Sequence, residues 1–313
     1  MKQEKLKVAA VIPTFNRKEF LMDCIQAILD QTYPVTSIYV IDNNSSDGTD
    51  QLIKERGFIG NVNGVQIYYH KLSINGGGAM GFSVGMEMAY NQSHDAYWMM
   101  DDDGLPEKEC LWNLCKYIKD YDYVCPIVYA RGKEETLVAP IDGGLNPSKI
   151  KEKYGEGEVV EGYTNPFNGG LFSHRLVTKV GFPKKELFIY GDEMNYHQRC
   201  IDLGFKPRAI TTAIHYHPQF DVSNHISFTD SVNFYPSELS MYCQWRNVVY
   251  NKKIKTRDGW LKKVIKLVSY FFIHVAFFLL KKPSFKWMKL FFNAYFDGIL
   301  GIWGKQYRFL KKV

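Results

Sequence analysis

DAYWMMDDDG, Asp95 to Gly104, runs from an apolar stretch straight into three adjacent carboxylates. DAYWMM reads as a buried β-strand, with Asp101, Asp102 and Asp103 at its end. Like charges at neighbouring positions repel, and a strand end is a poor place to solvate all three. A strand ending in Asp-x-Asp suits Mg²⁺ or Mn²⁺, because hard divalent ions take carboxylate oxygens and then bridge to phosphates. An isolated acidic triplet is as readily a solvated turn. The strand in front, which positions the acids rigidly, favours the metal reading. Leu105 stands where a phosphatase-type DxDGT would need Thr or Val.

Outward from that strand, the first hundred residues alternate β and α signals. KVAAVIP (7–13), SIYVID (37–42) and GVQIYYHKL (64–72) read as strands, and residues 18–30 and 78–91 read as helices. This spacing predicts an α/β fold with a parallel sheet and right-handed crossovers. Ligands of such sheets bind beyond the carboxyl ends of the strands. Thr14–Arg17, Asp42–Asn44, Asn75–Gly78 and Asp101–Asp103 all fall at those ends. Further on, LPEKECLWNLCKYI reads as a helix, YDYVCPIVY as a strand and 131–162 as a polar, Gly-rich excursion. TNPFNGGLFS is a strand with its loop, DEMNYHQRCIDLG a helix and KPRAITTAIHYH a strand.

Each constellation has a functional and a plain reading. Asp42, opening DNNSSDGT, can meet a nucleobase or ribose, while Ser45–Thr49 also serves turn chemistry and helix capping. NGGGAMGFSVG (75–85) permits close backbone approach to a ligand but fits neither GxGxxG cleanly nor a P-loop. Asp192 and Glu193 open a helix, where the dipole keeps carboxylates ionised. They suit either N-terminal capping or a general base that deprotonates a hydroxyl. His215 and His217 share one face of their strand by period-2 alternation, and His217 is placed to complete a metal site with the acids.

Hydrophobic residues at 46% and charged residues at 23% fit a globular chain rather than a disordered one. The six scattered cysteines form no CxxC, which favours a reducing cytoplasm over a disulfide framework or a structural zinc site. No signal peptide is read at the N-terminus. No uninterrupted run reaches the roughly 18–20 apolar residues of a membrane span. The nearest is Leu267–Leu280, at 14 residues. Charge is uneven: residues 246–313 sum to +14 against −8 for 1–245, leaving the chain at +6.

In that order, VIPTFNR (11–17), DNNSSDGT (42–49), NGGGAMGF (75–82), MMDDDG (99–104), FNGGLFS (167–173), LFIYGDEMNYHQR (187–199) and IHYH (214–217) resemble the family 2 glycosyltransferases of the GT-A fold. Within that family the pattern is similar to bacterial galactofuranosyl- and rhamnosyltransferases of cell-surface polysaccharide synthesis. The resemblance implies a mixed, mostly parallel sheet flanked by helices, and an inverting transfer from a nucleotide-sugar donor. It implies that Pro13, Thr14, Phe15, Arg17, Asp42, Asn44, Asn75, Gly77, Gly78, Asp101 and Asp102 serve the donor. Asp101, Asp103 and His217 would hold Mn²⁺ or Mg²⁺, and Asn168, Gly169, Gly170 and Arg199 would meet the acceptor. The base falls on Glu193, where the family usually has Asp, with Asp192 as its rival. UDP-galactofuranose is the first donor implied and dTDP-rhamnose the second.

The domain reading follows: a GT-A domain over 1–240, made of a nucleotide half (1–104) and an acceptor half (105–240), then a basic, aromatic helical region over 241–313. That region combines Lys/Arg clusters with Trp, Phe and Tyr. Amphipathic helices on an anionic membrane explain it better than nucleic-acid binding does, and they fit a polyprenyl-diphosphate-linked or glycan acceptor. Part of it can instead pack on the core or on a second copy in a homo-oligomer. The expected location is the cytoplasmic face of the plasma membrane. Two other classes remain open: a sugar nucleotidyltransferase, which would want a GxGTR-like loop after the first strand, and a non-catalytic assembly scaffold.

Overall fold

The computed structural model describes residues 5–138, 147–155, 159–161, 164–218, 237–281 and 283–310. Parts of the Gly-rich excursion (139–146, 156–158 and 162–163) lie outside the described residues. Four apolar segments become adjacent parallel strands: β1 (Val8–Thr14), β2 (Ser37–Asp42), β4 (Val65–Lys71) and β5 (Ala96–Met100). Every residue of β1, β2 and β5 is buried, as expected for parallel strands covered on both faces. A short β3 (Gly60–Val62) adds antiparallel to β4.

The crossovers are α1 (Lys18–Leu29), α2 (Thr49–Glu55) and α3 (Gly77–Tyr90). α1 buries Leu21, Cys24, Ile25 and Ile28, the 3.6-period stripe seen in its sequence. α3 lies unusually close to β1. A Cβ on Gly81 would fall 2.4 Å from Pro13 Cβ, and one on Gly85 would fall 2.4 Å from Val11 Cγ1. The glycines of that stretch therefore serve helix–sheet packing as well as the loop.

Beyond β5 the sheet continues with β6 (Leu105–Pro106), β7 (Tyr123–Ala130), β8 (Lys133–Leu137), β9 (Val159–Glu161), β10 (Asn168–Ser173) and β11 (Arg208–His217). Its order is β3-β4-β2-β1-β5-β10-β7-β11-β6, with β8 on β7 and β9 on β11. β10 runs antiparallel to both β5 and β7, so the sheet is mixed. Trp98, wholly buried on β5, donates its indole N–H to the Gly169 carbonyl at 2.9 Å, pinning the β10 bulge. Burying such a side chain stabilises by roughly 1.5–3 kcal/mol.

The sequence expectation of one helix over 105–118 is corrected. Leu105–Pro106 pairs antiparallel with His215–Tyr216, and helix begins only at α4 (Cys110–Cys115), followed by α5 (Ile118–Tyr121). The remaining helices of this half are α6 (Pro147–Tyr154) and α7 (His174–Val180). Ser173 caps α7 by accepting from Leu176 N at 3.1 Å.

α8 (Asp192–Asp202), α9 (Glu238–Ile254), α10 (Trp260–Leu280) and α11 (Phe285–Leu300) complete the chain with 3₁₀ turns at Lys185–Leu187 and Lys305–Phe309. Lys184–Gln198 group with α9–α11 in a second compact unit, distinct from the one built on the sheet. The core of this unit is aromatic: Trp245, Tyr242, Phe277, Phe278 and Phe291 are buried, and His274 stacks on Phe291 at 4.7 Å.

The 14-residue apolar run Leu267–Leu280 lies within a longer helix, α10, which is long and apolar enough by length and composition to cross a membrane. It is a single helix of 21 residues, with mean hydropathy 1.8 over its most apolar window and few buried positions there. Helix continues through Lys263 and Lys266, which interrupt the apolar run but not the backbone.

Candidate active site

The acidic triplet is a turn that closes where β5 ends. Gly104 N donates to the Asp101 carbonyl at 3.1 Å, and the chain then enters β6. Because β6 pairs with the end of β11, His217 arrives beside the acids across more than a hundred residues of sequence. Its Nε2 lies 3.1 Å from Asp103 Oδ1 and 3.8 Å from Asp101 Oδ2. Among the described residues, Asp101, Asp103 and His217 are the one set of such side chains converging closely enough for a shared cation, their ligand atoms within 4.8 Å of one another.

The donor set fits a divalent ion: two hard carboxylate oxygens and one imidazole nitrogen. Asp103 Oδ1 is buried and receives no well-aligned hydrogen bond, as a ligand atom aimed at a common point would be. Asp101 is the more exposed of the two, with 42% of its side chain accessible.

The charges are balanced by the chain itself. Asp102 Oδ2 accepts from Thr14 Oγ1 at 2.7 Å, and its Oδ1 lies 3.2 Å from the Arg17 guanidinium. Arg17 also pairs closely with Asp103. Burial raises the Asp102 carboxyl to about 7 against the pull of Arg17 and Thr14. Burial acts the same way on Asp103, but the close approach of His217 and the charge of Arg17 hold it at about 2. Burial would lower His217, yet the neighbouring carboxylates of Asp101 and Asp103 raise it to about 10. Arg17 thus offsets part of the triplet's repulsion, and Asp102 is tied to β1 through Thr14.

His215 shares the face of His217, as alternation requires, but it is wholly buried and both ring nitrogens lack hydrogen-bond partners. It fills the space that two glycines leave. A Cβ on Gly104 would meet its Nε2 at 2.7 Å, and one on Gly169, at φ +83°, would meet its Nδ1 at 3.0 Å.

The other strand ends gather around β1. Thr14 and Asp42 are in register across β1 and β2, and Asn43 N donates to the Thr14 carbonyl at 2.8 Å. Asp42 is fully buried, accepting from Ser45 N at 2.7 Å and from the Tyr69 hydroxyl. Asn16 joins the first two loops: its N–H donates to Ser45 Oγ at 2.9 Å and its Oδ1 accepts from Ser46 N at 2.7 Å. Pro13 is buried, whereas Phe15 and Asn44 are exposed, the latter at φ 65°. Asn75 caps Gly77 N at 2.9 Å ahead of α3, and open space lies beside Gly78.

Among the residues expected to meet an acceptor, Asn168 donates to Asn165 Oδ1 at 2.8 Å while its own Oδ1 is buried without a partner. Gly169 and Gly170 are buried, and a Cβ on Gly170 would overlap the Pro166 carbonyl. Arg199 donates to the carbonyls of Val180 at 2.9 Å and Phe182 at 2.6 Å, within the sheet unit. In the second unit, Asp192 is buried and Glu193 half-buried at the start of α8, and the Glu193 carboxylate accepts from Gly191 N at 3.0 Å.

Sequence reading missed the partners that organise these groups. Leu105–Pro106 falls within a predicted helix, and Arg246, Asn247 and Asn251 fall within a tail whose composition points to a surface role. The available signal was a pair of polar residues, Arg246 and Asn247, between Trp245 and Val249 on a helix; all four are buried.

Comparison with known proteins agrees with this geometry. Residues 9–174, more than half of the chain, match the model of glycosyl transferase family 2. The chain is 28% identical over 220 residues to galactofuranosyltransferase GlfT1 of Mycolicibacterium smegmatis, covering 67% of this chain and 70% of the relative. It is 30% identical over the same length to GlfT1 of Mycobacterium tuberculosis, with the same coverage. Among solved structures, S. aureus TarS in complex with UDP-GlcNAc superposes with a TM-score of 0.58 at 14% identity, over 94% of this chain and 82% of that one. The mannosyltransferase PcManGT of Pyrobaculum calidifontis, in complex with GDP-Man and Mn²⁺, does so with a TM-score of 0.57 at 13% identity, over 96% and 89%. With a buried strand ending in Asp-x-Asp, a histidine closing the cluster and a family match spanning the whole parallel half, the chain belongs to glycosyl transferase family 2 and is a glycosyltransferase.

Proposed function

We propose that this enzyme transfers galactofuranose from UDP-galactofuranose to a hydroxyl of a lipid-diphosphate-linked or polysaccharide glycan, with inversion. The Asp101–Asp103–His217 cluster carries the reading, because it is a ready site for the ion that accompanies a nucleotide diphosphate. The similarity to the two galactofuranosyltransferases supports the choice of donor. Asp101, Asp103 and His217 would hold Mn²⁺ or Mg²⁺, which when bound supplies positive charge against the leaving diphosphate. Arg17 adds a fixed positive charge beside Asp102 and Asp103. Asp192 or Glu193 takes the acceptor hydroxyl's proton. As the acceptor oxygen bonds to the anomeric carbon, the bond from that carbon to the diphosphate oxygen breaks, and UDP leaves with the electron pair. One displacement needs one base and no enzyme nucleophile.

The acceptor class is supported by α10. Leu261, Ile265, Val268, Phe272 and Leu279 are all exposed, and their spacing of three, four or seven residues puts them on one stripe. Tyr270, His274 and Phe277 are buried on the opposite side. With a net +14 beyond residue 245, that stripe suits the surface of an anionic bilayer on the cytoplasmic side.

A thermal-shift panel of nucleotide sugars with Mn²⁺ tests the donor. UDP-galactofuranose should give the largest stabilisation. A larger shift with dTDP-rhamnose overturns the donor assignment.

A further inference from the structure

The backbone that leads into Asp192 and Glu193 is held in an uncommon conformation by side-chain amides from α9. After the 3₁₀ turn at Lys185–Leu187, Phe188 has φ 70°, Tyr190 φ 60° and Gly191 φ 81°. Left-handed backbone is rare for bulky aromatic residues, and it persists only where the surroundings over-determine it. Here Asn247 Nδ2 lies 2.8, 2.9 and 2.7 Å from the carbonyls of Leu187, Ile189 and Tyr190, its two N–H groups shared among three acceptors. Asn251 Nδ2 donates to the next carbonyl, Gly191, at 2.8 Å.

Both amides are themselves oriented. Arg246 Nε donates to Asn247 Oδ1 at 2.9 Å, and Asn195 Nδ2 donates to Asn251 Oδ1 at 2.9 Å, so each NH₂ must face the loop. Arg246 is wholly buried and is anchored by the Leu187 carbonyl at 2.8 Å and Gln306 Oε1 at 2.6 Å. The next residue to engage is Glu193, which accepts from Gly191 N. Gly191 is thus held at its carbonyl by Asn251 and at its N–H by the candidate base.

We propose that Asn247 and Asn251 are positioning residues for the catalytic base, acting through the 187–191 backbone to fix the direction in which α8 presents Asp192 and Glu193. The inference rests on the reading of that pair as the base. Packing in this unit comes from its aromatic core. The amides are directed at the strained loop instead, and a displacement of about 1 Å in a catalytic group costs on the order of 10²-fold.

The test is a double-mutant comparison, with UDP release from UDP-galactofuranose in Mn²⁺ as the readout. Asn251→Ala should lower kcat by about 10- to 100-fold, with the donor KM within about two-fold of the parent. In whichever background, Glu193→Gln or Asp192→Asn, has lost turnover, Asn251→Ala should cause no further loss, because its effect passes through the base. Asn251→Asp keeps the volume and the acceptor for Asn195 but loses the donor to Gly191, and serves if the alanine variant does not fold. A loss that multiplies onto that of the base variant, or an unchanged kcat in Asn251→Ala and Asn251→Asp, overturns the positioning role alone. Full turnover in both base variants overturns the base assignment and the positioning role together.

Discussion

Thr14 Oγ1, on the last residue of β1, donates a 2.7 Å hydrogen bond to Asp102 Oδ2, 88 residues further along the chain. This bond ties the first strand end to the middle acid of the triplet. It leaves Asp101 and Asp103, on either side, to converge on His217. The three acids therefore have different sets of partners, with Arg17 shared between Asp102 and Asp103.

Removal of one ligand should separate metal binding from folding. Asp103→Asn retains the shape of the side chain but takes away a charged oxygen, leaving Arg17 and His217 less well paired. Turnover should fall by about 10²-fold or more. The thermal stabilisation that excess Mn²⁺ gives the parent, about 2.7 kcal/mol at a hundred times Kd, should shrink with it. Calorimetry with Mn²⁺ alone checks this, and parent-like affinity in the variant would remove Asp103 from the site.

Gly81 tests the close seating of α3 on β1. In Gly81→Ala the new methyl lies 2.4 Å from Pro13 Cβ, on a rigid ring that cannot turn aside. Overpacking should outweigh the better helix propensity of alanine and destabilise the protein by about 1–3 kcal/mol. Denaturant unfolding of the two proteins measures it, and a more stable variant would show that the contact is loose.

Acid sensitivity should arise in part at Asp122. This residue accepts from Ser173 Oγ at 2.5 Å and Arg175 Nε at 3.0 Å, and its φ of 60° suits Asn equally well. Burial pushes its carboxyl up, but the bonds from Arg175 and Ser173 hold it below the ordinary carboxylate range. A folded pKa below the unfolded one means the stabilisation is fully present above the unfolded value and is lost as pH falls through the folded one. Asp122→Asn should thus cost stability at neutral pH, by an amount kept small by the exposed Arg175 partner, and the difference should fade as pH falls from neutral through the lowered folded pKa. Unfolding midpoints across that range decide it; a pH-independent difference would contradict it.

The apolar stripe of α10 should bind lipid. Ile265→Asp with Phe272→Asp places two charges on that stripe without touching the buried Tyr270–His274–Phe277 side. Each loss of apolar burial is worth about 1.5–3 kcal/mol, so binding to phosphatidylglycerol-containing vesicles should drop at least tenfold. Co-sedimentation measures it, and equal binding by parent and variant would rule the stripe out.

Much of this was legible in one dimension. β1, β2, β4 and β5 lie within a residue or so of their expected runs, β4 because its sequence alternates and β1, β2 and β5 because a doubly buried parallel strand is its own signal. The Asp-x-Asp was visible for the same reason. β6 was not: two residues make no periodic pattern, and their pairing with His215–Tyr216 is settled only in the sheet. The role of Arg17 in balancing Asp102 and Asp103 likewise depends on neighbours 85 and more positions away in sequence. α10 was read too short because uninterrupted apolar residues were counted, whereas a helix tolerates Lys263 and Lys266 within it. The loop-holding amides of α9 were hidden because a helix's buried face reveals its position but not what it will meet.

In the proposed function, transfer depends on a divalent ion held by Asp101, Asp103 and His217. The most direct measurement is UDP release from UDP-galactofuranose by protein freed of metal with EDTA, before and after Mn²⁺ is restored. Release should be absent in EDTA, return with Mn²⁺, and fail to return in Asp103→Ala. Undiminished release in EDTA would contradict it.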